Sequence, residues 1–458
     1  MSTINGIFNS ARSALAAQQQ GLAVTGHNIA NVNTPGYSRQ RVVLSSGAHG
    51  LANAGVATLG VEQARDRFLE QRLYAENHQF GHYEARADSL RSTESLFDTA
   101  SESGISQLLS RFWNAWEDLS NNPSGAVERI ALSGAAEHLT GRFNGLADDL
   151  AATRQTLEDR IADTVGAIHR LADQIAAING EIVTAEAAGG EANGLRDQRS
   201  VQLTELSELI DFHAQENANG DVTVRLGTGS ELVHHTSVYR LGIQPAALPG
   251  GGNRIVWNGP GGSLADVTDD ISGGHLKGWL EVRDTDIPDI VARLDDLAGS
   301  LITEVNAIHS TGFGLDGTSR PFFTGTSAAD IGVHTDILVD AGRIAAAGPS
   351  DGLPGGNTGA LAIAGLRYQP VMLAGQSTFG EAAAEMLTAV GSRVQAAVDG
   401  RDTQADVRRQ LESFRESVSG VSLDEEMVQL IQFQRAYEAA AKMIVTADEM
   451  LQTLIQMI

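Results

Sequence analysis

The sequence predicts a mainly α protein with an inserted β domain, on three observations. Both ends of the 458-residue chain carry apolar residues at alternating spacings of three and four. A stretch from about Val127 to Ala188 keeps a helical period without a turn signal. Between about 212 and 275 the period changes to that of short strands, separated by Asn-Gly, Gly-rich and Pro-Gly turns.

At the N-terminus, Ile4, Phe8, Ala11, Leu15, Gln18, Leu22, Thr25 and Ile29 follow a 4-3-4-3-4-3-4 spacing, a coiled-coil seam with two polar positions. The C-terminal segment mirrors it through Met427, Leu430, Gln434, Tyr437, Ala441, Ile444, Asp448, Leu451, Ile455 and Ile458. The charges are complementary. Residues 1–61 contain no acid and carry Arg12, Arg39 and Arg41, whereas residues 421–458 hold six acids against two bases, a net of −4. The two ends are therefore expected to pair. A single two-helix seam containing glutamine and aspartate is marginal alone, so the ends are expected to order fully only against neighbouring copies.

The first helix runs into Ala30-Asn31-Val32-Asn33-Thr34-Pro35-Gly36-Tyr37-Ser38-Arg39-Gln40. Proline presets φ at the second position of a turn, and glycine accepts the positive φ that a type II turn needs at the third, so Thr34 to Tyr37 reads as a turn. Asn28, Asn31 and Asn33 can bond nearby backbone and help end the helix. The run from Gly26 to Gln40 resembles the N-terminal signature of the flagellar rod, hook and hook-associated proteins. Its ending, Thr34-Pro35-Gly36-Tyr37-Ser38-Arg39-Gln40, is most similar to the hook-associated branch. Rod and hook proteins tend to carry Gly-Phe or Gly-Tyr followed by Lys. The likeness is strong over residues 1–45, returns at the C-terminus and is loose between.

The resemblance implies a non-enzymatic structural subunit of the bacterial flagellum, set in a ring where hook meets filament, with the paired termini forming an inner tube. It implies as partners copies of the chain, the hook protein, the next hook-associated protein on the filament side and a dedicated export chaperone. It also implies export, without a cleaved signal, through the flagellar type III apparatus to an extracellular location. The assembly interface would use Ile4, Phe8, Leu15, Leu22, Ile29, Asn31, Asn33, Thr34, Pro35, Gly36, Tyr37 and Arg39 at one end, and Tyr437, Ile444, Leu451 and Ile455 at the other. Met427, Leu430, Ile431, Phe433 and Tyr437, an apolar patch on an otherwise acidic helix, would meet the chaperone. A hook or distal rod protein of the same axial family is the alternative. A flagellum-associated hydrolase or an adhesin module is a reading of another class.

Composition bounds these readings. A net charge of −25 disfavours nucleic acid or an anionic membrane as partner. Of the 32 basic residues only Lys277 and Lys442 are lysines; arginine suits planar contacts. The absence of cysteine excludes disulfides, thiol catalysis and zinc–thiolate sites. The Gln18-Gln19-Gln20 run interrupts any apolar signal core, and no stretch approaches the roughly 20 apolar residues of a membrane span. Aromatic residues at 5% and 50 glycines argue against one large aromatic core.

Between the ends, residues 41–61 alternate weakly around a glycine-rich centre and read as a hairpin or extended arm. Helices are expected from about Glu62 to Thr99 and Ile105 to Ser120, with a break at Asn121-Asn122-Pro123-Ser124-Gly125. The 127–188 helix would be roughly 90 Å long. Its heptads, Leu139-Phe143-Leu146-Leu150-Thr153-Leu157 and Ile161-Thr164-Ile168-Leu171-Ile175-Ile178-Ile182, meet at a 4-4 stutter. Gly189-Gly190 ends it, and Asn193 is expected to cap a helix to about Leu209. Short strands are expected at 221–226, 231–233, 238–241 and 254–257. A helix at 287–309, an irregular 310–370 with short strands, and helices at 379–399 and 403–419 complete the chain. The domains are expected to be 1–45 with 420–458, a discontinuous helical rod of 46–211 with 276–419, and the β insertion 212–275.

No cofactor, metal or catalytic residue is expected. Gly312-Phe313-Gly314-Leu315-Asp316-Gly317 fits a dinucleotide fingerprint, and Gly348-Pro349-Ser350-Asp351-Gly352 fits a nucleophile elbow. Neither has the strand before and helix after that its chemistry requires. His78 and His82 share a helix face but lack a third ligand, and His234 and His235 are strand neighbours facing opposite ways. Trp113 and Trp116 read as core or interface packing.

Overall fold

The computed structural model describes residues 2–46, 55–97, 104–227, 229–245 and 251–456. Helix α1 (Ser2–Ala30) leads into a hairpin of β1 (Gln40–Ser46) and β2 (Val56–Gln63), then α2 (Arg67–Ser95), α3 (Ile105–Asn121), α4 (Ala126–Ala187) and α5 (Asn193–Leu209). The inserted strands are β3 (Phe212–Glu216), β4 (Val222–Leu226), β5 (Glu231–His234), β6 (Ser237–Val238), β7 (Arg240–Gln244), β8 (Arg254–Asn258) and β9 (Leu264–Asp266). After α6 (Gly274–Glu281) and a π turn at Val282–Asp286 come α7 (Ile287–His309), β10 (Phe323–Thr324), β11 (Gly332–Val333), α8 (Thr335–Val339), α9 (Thr358–Gly365), α10 (Phe379–Ser419) and α11 (Leu423–Gln456). The mainly α architecture with small antiparallel sheets is as the sequence predicts.

The 62-residue α4 is the axis on which two cores are strung. Its first half, from Leu132 to Leu157, packs with α3, α7, α9 and α10, and its second half, from Ile161 to Ala176, packs with α5, α6 and the β insertion. The stutter between Leu157 and Ile161 falls at the division between the cores. A seven-residue repeat holds one stripe toward one set of neighbours, and an added residue rotates the stripe toward the next. The sparse aromatics do not argue against an aromatic core after all. Phe112, Trp113, Trp116, Phe322, Phe323 and Phe379 gather in the first core, with the Phe112 and Trp116 rings edge-on at 6.3 Å.

The insertion holds two antiparallel sheets, β3-β4-β5-β6 and β7-β8-β9. Val224, Leu232, Val233 and Ile255 face the second core. The π turn directs Arg283 and Asp286 inward. Arg283 donates to Glu158 at 3.1 Å, and Asp286 accepts from Arg86 of α2 at 3.1 Å and from Arg393 of α10 at 3.3 Å. This ionic hub ties the early, middle and late segments of the chain together.

Several sequence expectations need correction. Glu62 lies in β2 rather than a helix, because residues 56–63 pair with β1 in register Val42 to Val61. Asn193 does not cap α5: its side chain donates to Val61 O at 2.7 Å, fastening the hairpin to the helix start. The 310–370 region includes the short helices α8 and α9. The two helices expected at 379–399 and 403–419 are one, of 41 residues. Gly400 is not a break. A Cβ there would lie 2.5 Å from the Tyr83 ring, so glycine serves the close approach of α10 to α2. The hairpin centre, Thr99 and Ile458 lie outside the described residues.

Two glycines of α10 should therefore respond in opposite ways. Gly400→Leu should lower stability by about 1–3 kcal/mol in chemical denaturation. Gly391→Ala, whose Cβ would meet only a Glu94 carboxylate oxygen at 3.4 Å, should be neutral or stabilise by up to about 1 kcal/mol.

Candidate assembly interface

Helix α1 stops where its side chains take over the backbone's bonds. Asn31 Nδ2 donates to His27 O at 2.9 Å, and Thr34 Oγ1 donates to Asn31 Oδ1 at 3.2 Å. The turn closes with Tyr37 N donating to Thr34 O at 3.2 Å, and Gly36 takes φ +79°. Glycine is required there twice, since a Cβ would also lie 2.4 Å from a Val201 methyl of α5. The turn is thus seated on the rod helix. Thr34, Pro35 and Asn33 are exposed, and Asn31 is half-buried.

The turn returns the chain onto α1 through Asn28, 1% exposed. Its Oδ1 accepts from Tyr37 Oη at 2.8 Å and from Gln40 N at 3.0 Å. Its Nδ2 donates to Gln40 O at 2.8 Å and to Glu426 Oε2 of α11 at 3.0 Å. The other oxygen of Glu426 accepts from Arg39 Nε at 2.7 Å, while Arg39 Nη1 reaches Glu425 at 2.7 Å. Arg39 N donates to Ser419 O at 2.9 Å, joining the end of α10. Glu426, 2% exposed, is thereby a buried carboxylate compensated by one arginine and one amide.

A second carboxylate fixes the clasp to the rod. Asp197 of α5 accepts from Ser38 N at 3.3 Å and from Gln63 Nε2 at 2.9 Å. Burial pushes its pKa up to about 6 against those hydrogen bonds. Burial, with Asp197 and Glu426 nearby, raises Tyr37 to about 12, so the phenol stays a donor.

Beyond the clasp α1 runs along α11. Ala11, Ala17 and Thr25 on one helix and Ala440 and Ala447 on the other are 3% exposed or less. A Cβ on Gly21 would lie 2.6 Å from the Phe433 ring, so this ring seats on α1 where there is no side chain. The inward heptad of α11 is Glu426, Phe433, Ala440 and Ala447, not Met427, Gln434, Ala441 and Asp448. The reason is polar: the shift of one residue turns Gln434 and Asp448 to water. Phe8, Leu15, Leu22, Ile29, Leu430, Tyr437, Ile444 and Leu451 are half-buried along the seam. Ile455 is 65% exposed, and the side chain of Ile4 lies outside the described residues. The five residues of the expected chaperone patch are divided. Leu430, Phe433 and Tyr437 are half-buried on the seam side, and Met427 and Ile431 remain exposed. Leu423, Val428, Met443, Val445 and Met450 are exposed on the same helix.

The other candidates have local roles. His78 is buried, accepting from Phe212 N at 3.4 Å, with burial lowering its pKa to about 4. His82 pairs instead with Glu281 at 2.6 Å. His235 pairs with Asp221. The 312–317 loop bonds Phe313 N to Ala347 O at 3.0 Å, and the 348–352 turn is closed by Asp351 accepting from Gly348 N at 2.9 Å. Among the described residues no group of three or more His, Asp or Glu could hold a metal ion, and no helix is long and apolar enough to cross a membrane. Sequence reasoning missed Gly21 and Asp197, which nothing local distinguishes, and it counted Glu426 only as one acid among six.

The family model described as the flagellar hook-associated protein FlgK helical domain matches residues 90–323, just over half of the chain. The model for flagella basal body rod protein matches residues 8–37, and that for the flagellar basal body rod FlgEFG protein C-terminal region matches residues 415–457. The chain is 28% identical to flagellar hook-associated protein 1 of Bacillus subtilis, covering 99% of this chain and 98% of that protein. It is 24% identical to flagellar hook-associated protein 1 of Escherichia coli, covering 99% and 100%. The fold is similar to that of the flagellar hook junction protein FlgK from Burkholderia pseudomallei, at TM-score 0.69 and 15% identity, covering 76% of this chain and all of that one.

Within the clasp, Glu426→Ala removes the buried acceptor that Arg39 Nε and Asn28 Nδ2 share and should cost about 1–3 kcal/mol. Glu425→Ala, at an exposed pair, should cost about 0–1 kcal/mol. Denaturant titration of both variants decides; equal costs would contradict a buried clasp. Asp197 should titrate near pH 6 by carboxyl carbon NMR. Because its native pKa lies above the ordinary 3.8, its contribution to stability is present below that value and is lost as pH rises through about 6.

Proposed function

The chain belongs to the flagellar hook-associated protein family, and on that premise we propose that it is a non-enzymatic structural subunit joining the hook of a bacterial flagellum to its filament. It assembles through its terminal helices. The observation that carries this reading is a coincidence of ends. The segments matched by the two rod-family models, 8–37 and 415–457, are the same two segments that the Asn28–Glu426 hydrogen bond ties together, with Arg39 two residues beyond the first segment adding its ion pair to Glu426. The mechanism is packing. Residues 1–45 with 420–458 form the inner unit, 46–211 with 276–419 the rod around it, and 212–275 an outward domain.

Copies of the chain cover the exposed apolar residues of α11, because a helix that leaves Val428, Ile431 and Val445 about half exposed needs a partner in water. The hook protein and the next hook-associated protein are its axial neighbours. Before assembly an export chaperone covers the same helix, and export proceeds without a cleaved signal to the outside of the cell.

Labelled protein mixed with isolated hooks and imaged by electron microscopy should mark the distal hook tips alone, and removal of residues 1–40 should abolish the label. Label along the shafts, at the rod end or nowhere would overturn the junction reading.

A further inference from the structure

Of the seven methionines, four lie in the last 32 residues of the chain. Met372 and Met386 are 5% and 2% exposed within the first core. On α11, by contrast, Met427, Met443 and Met450 are 57%, 47% and 50% exposed. Met443 and Met450 stand seven residues apart, each beside a seam residue, Ile444 and Leu451, and Met427 adjoins Glu426 of the clasp. There is no cysteine to take up an oxidant in their place. A thioether is flexible and polarizable, which suits a face that must fit more than one partner, and it is also the side chain most readily oxidised in such a chain.

We infer that Met427, Met443 and Met450 are peroxide-sensitive modification sites, at which sulfoxide formation in the free subunit weakens the packing of the C-terminal helix against its neighbours. This rests on the assembly reading above. The sulfur lone pair attacks one oxygen of hydrogen peroxide, the O–O bond breaks, an S–O bond forms and water leaves. The sulfur is oxidised by two electrons and the peroxide reduced by two. A dithiol-dependent sulfoxide reductase reverses the step: the dithiol becomes a disulfide and the sulfoxide oxygen leaves as water. Each sulfoxide puts a strong dipole on a side chain that was apolar, which must be desolvated before it can be covered.

The test treats the full-length protein with hydrogen peroxide and reads it twice. Peptide mass spectrometry should find one added oxygen on each of Met427, Met443 and Met450 before any on Met372 or Met386. Capping of isolated hooks should weaken by about tenfold or more, return after treatment with methionine sulfoxide reductase, and be insensitive to peroxide in a Met427→Leu, Met443→Leu, Met450→Leu variant. Oxidation of the buried pair as fast as the exposed three, full capping by oxidised protein, or a peroxide-sensitive triple variant would each overturn the inference. Failure of untreated protein to cap hooks would overturn the assembly reading instead, and with it the effect on packing, while mass spectrometry would still decide the sites.

Discussion

A single buried carboxylate sets the geometry of the terminal unit. Glu426 sits at the start of α11 with almost no water access, between Arg39 and Asn28. A carboxylate in that position is tolerated only with its partners in place, because desolvating an unpaired charge costs several kcal/mol. Once Glu426 is turned inward, the helix period turns Phe433, Ala440 and Ala447 inward with it, at intervals of seven. The clasp and the seam are therefore one constraint. The clasp specifies the register, and the small residues of the seam let the two helices approach closely enough for Phe433 to rest on Gly21.

The same clasp couples the terminal pair to the rod. Gly36 abuts Val201, Ser38 donates to Asp197, Gln63 bridges Asp197 and the carbonyl of Asn193, and Arg39 holds the last carbonyl region of α10. All but the last of these contacts converge on α5, beside the C-terminal end of α4. From there α4 carries the two cores away along its length. The stutter at Leu157 and Ile161 lets one helix serve both cores without a break in its backbone hydrogen bonds. A subunit built this way couples its terminal helices to the rest of its mass.

Much of this was legible in the sequence, and the exceptions share a cause. Periodicity located α1, α3, α4, α5 and α7 within a residue or two of their ends where these are described, because an amphipathic stripe is written locally. The turn at Thr34 to Tyr37 was readable because proline presets φ at one turn position and glycine readily takes the positive φ that the next one needs. What failed depends on residues distant in the chain. Gly400 reads as a helix break until Tyr83 is placed against it. Asn193 reads as a cap until Val61 takes its amide. The seam of α11 admits two registers of equal spacing, and the partner of Glu426, nearly four hundred residues earlier, joins the exposure of Gln434 and Asp448 in choosing between them. The site residues therefore emerged in part: Tyr37 and Arg39 from the motif, but Asn28, Asp197 and Glu426 in their true roles only from the fold.

The register of the seam is the most direct test of this account. The chain has no cysteine of its own, so introduced pairs report without background. Gly21→Cys combined with Phe433→Cys should form a disulfide within one chain under mild oxidation, and Gly21→Cys combined with Gln434→Cys should not. Efficient cross-linking of the second pair in preference to the first would show the other register, and with it a Glu426 turned away from Asn28 and Arg39.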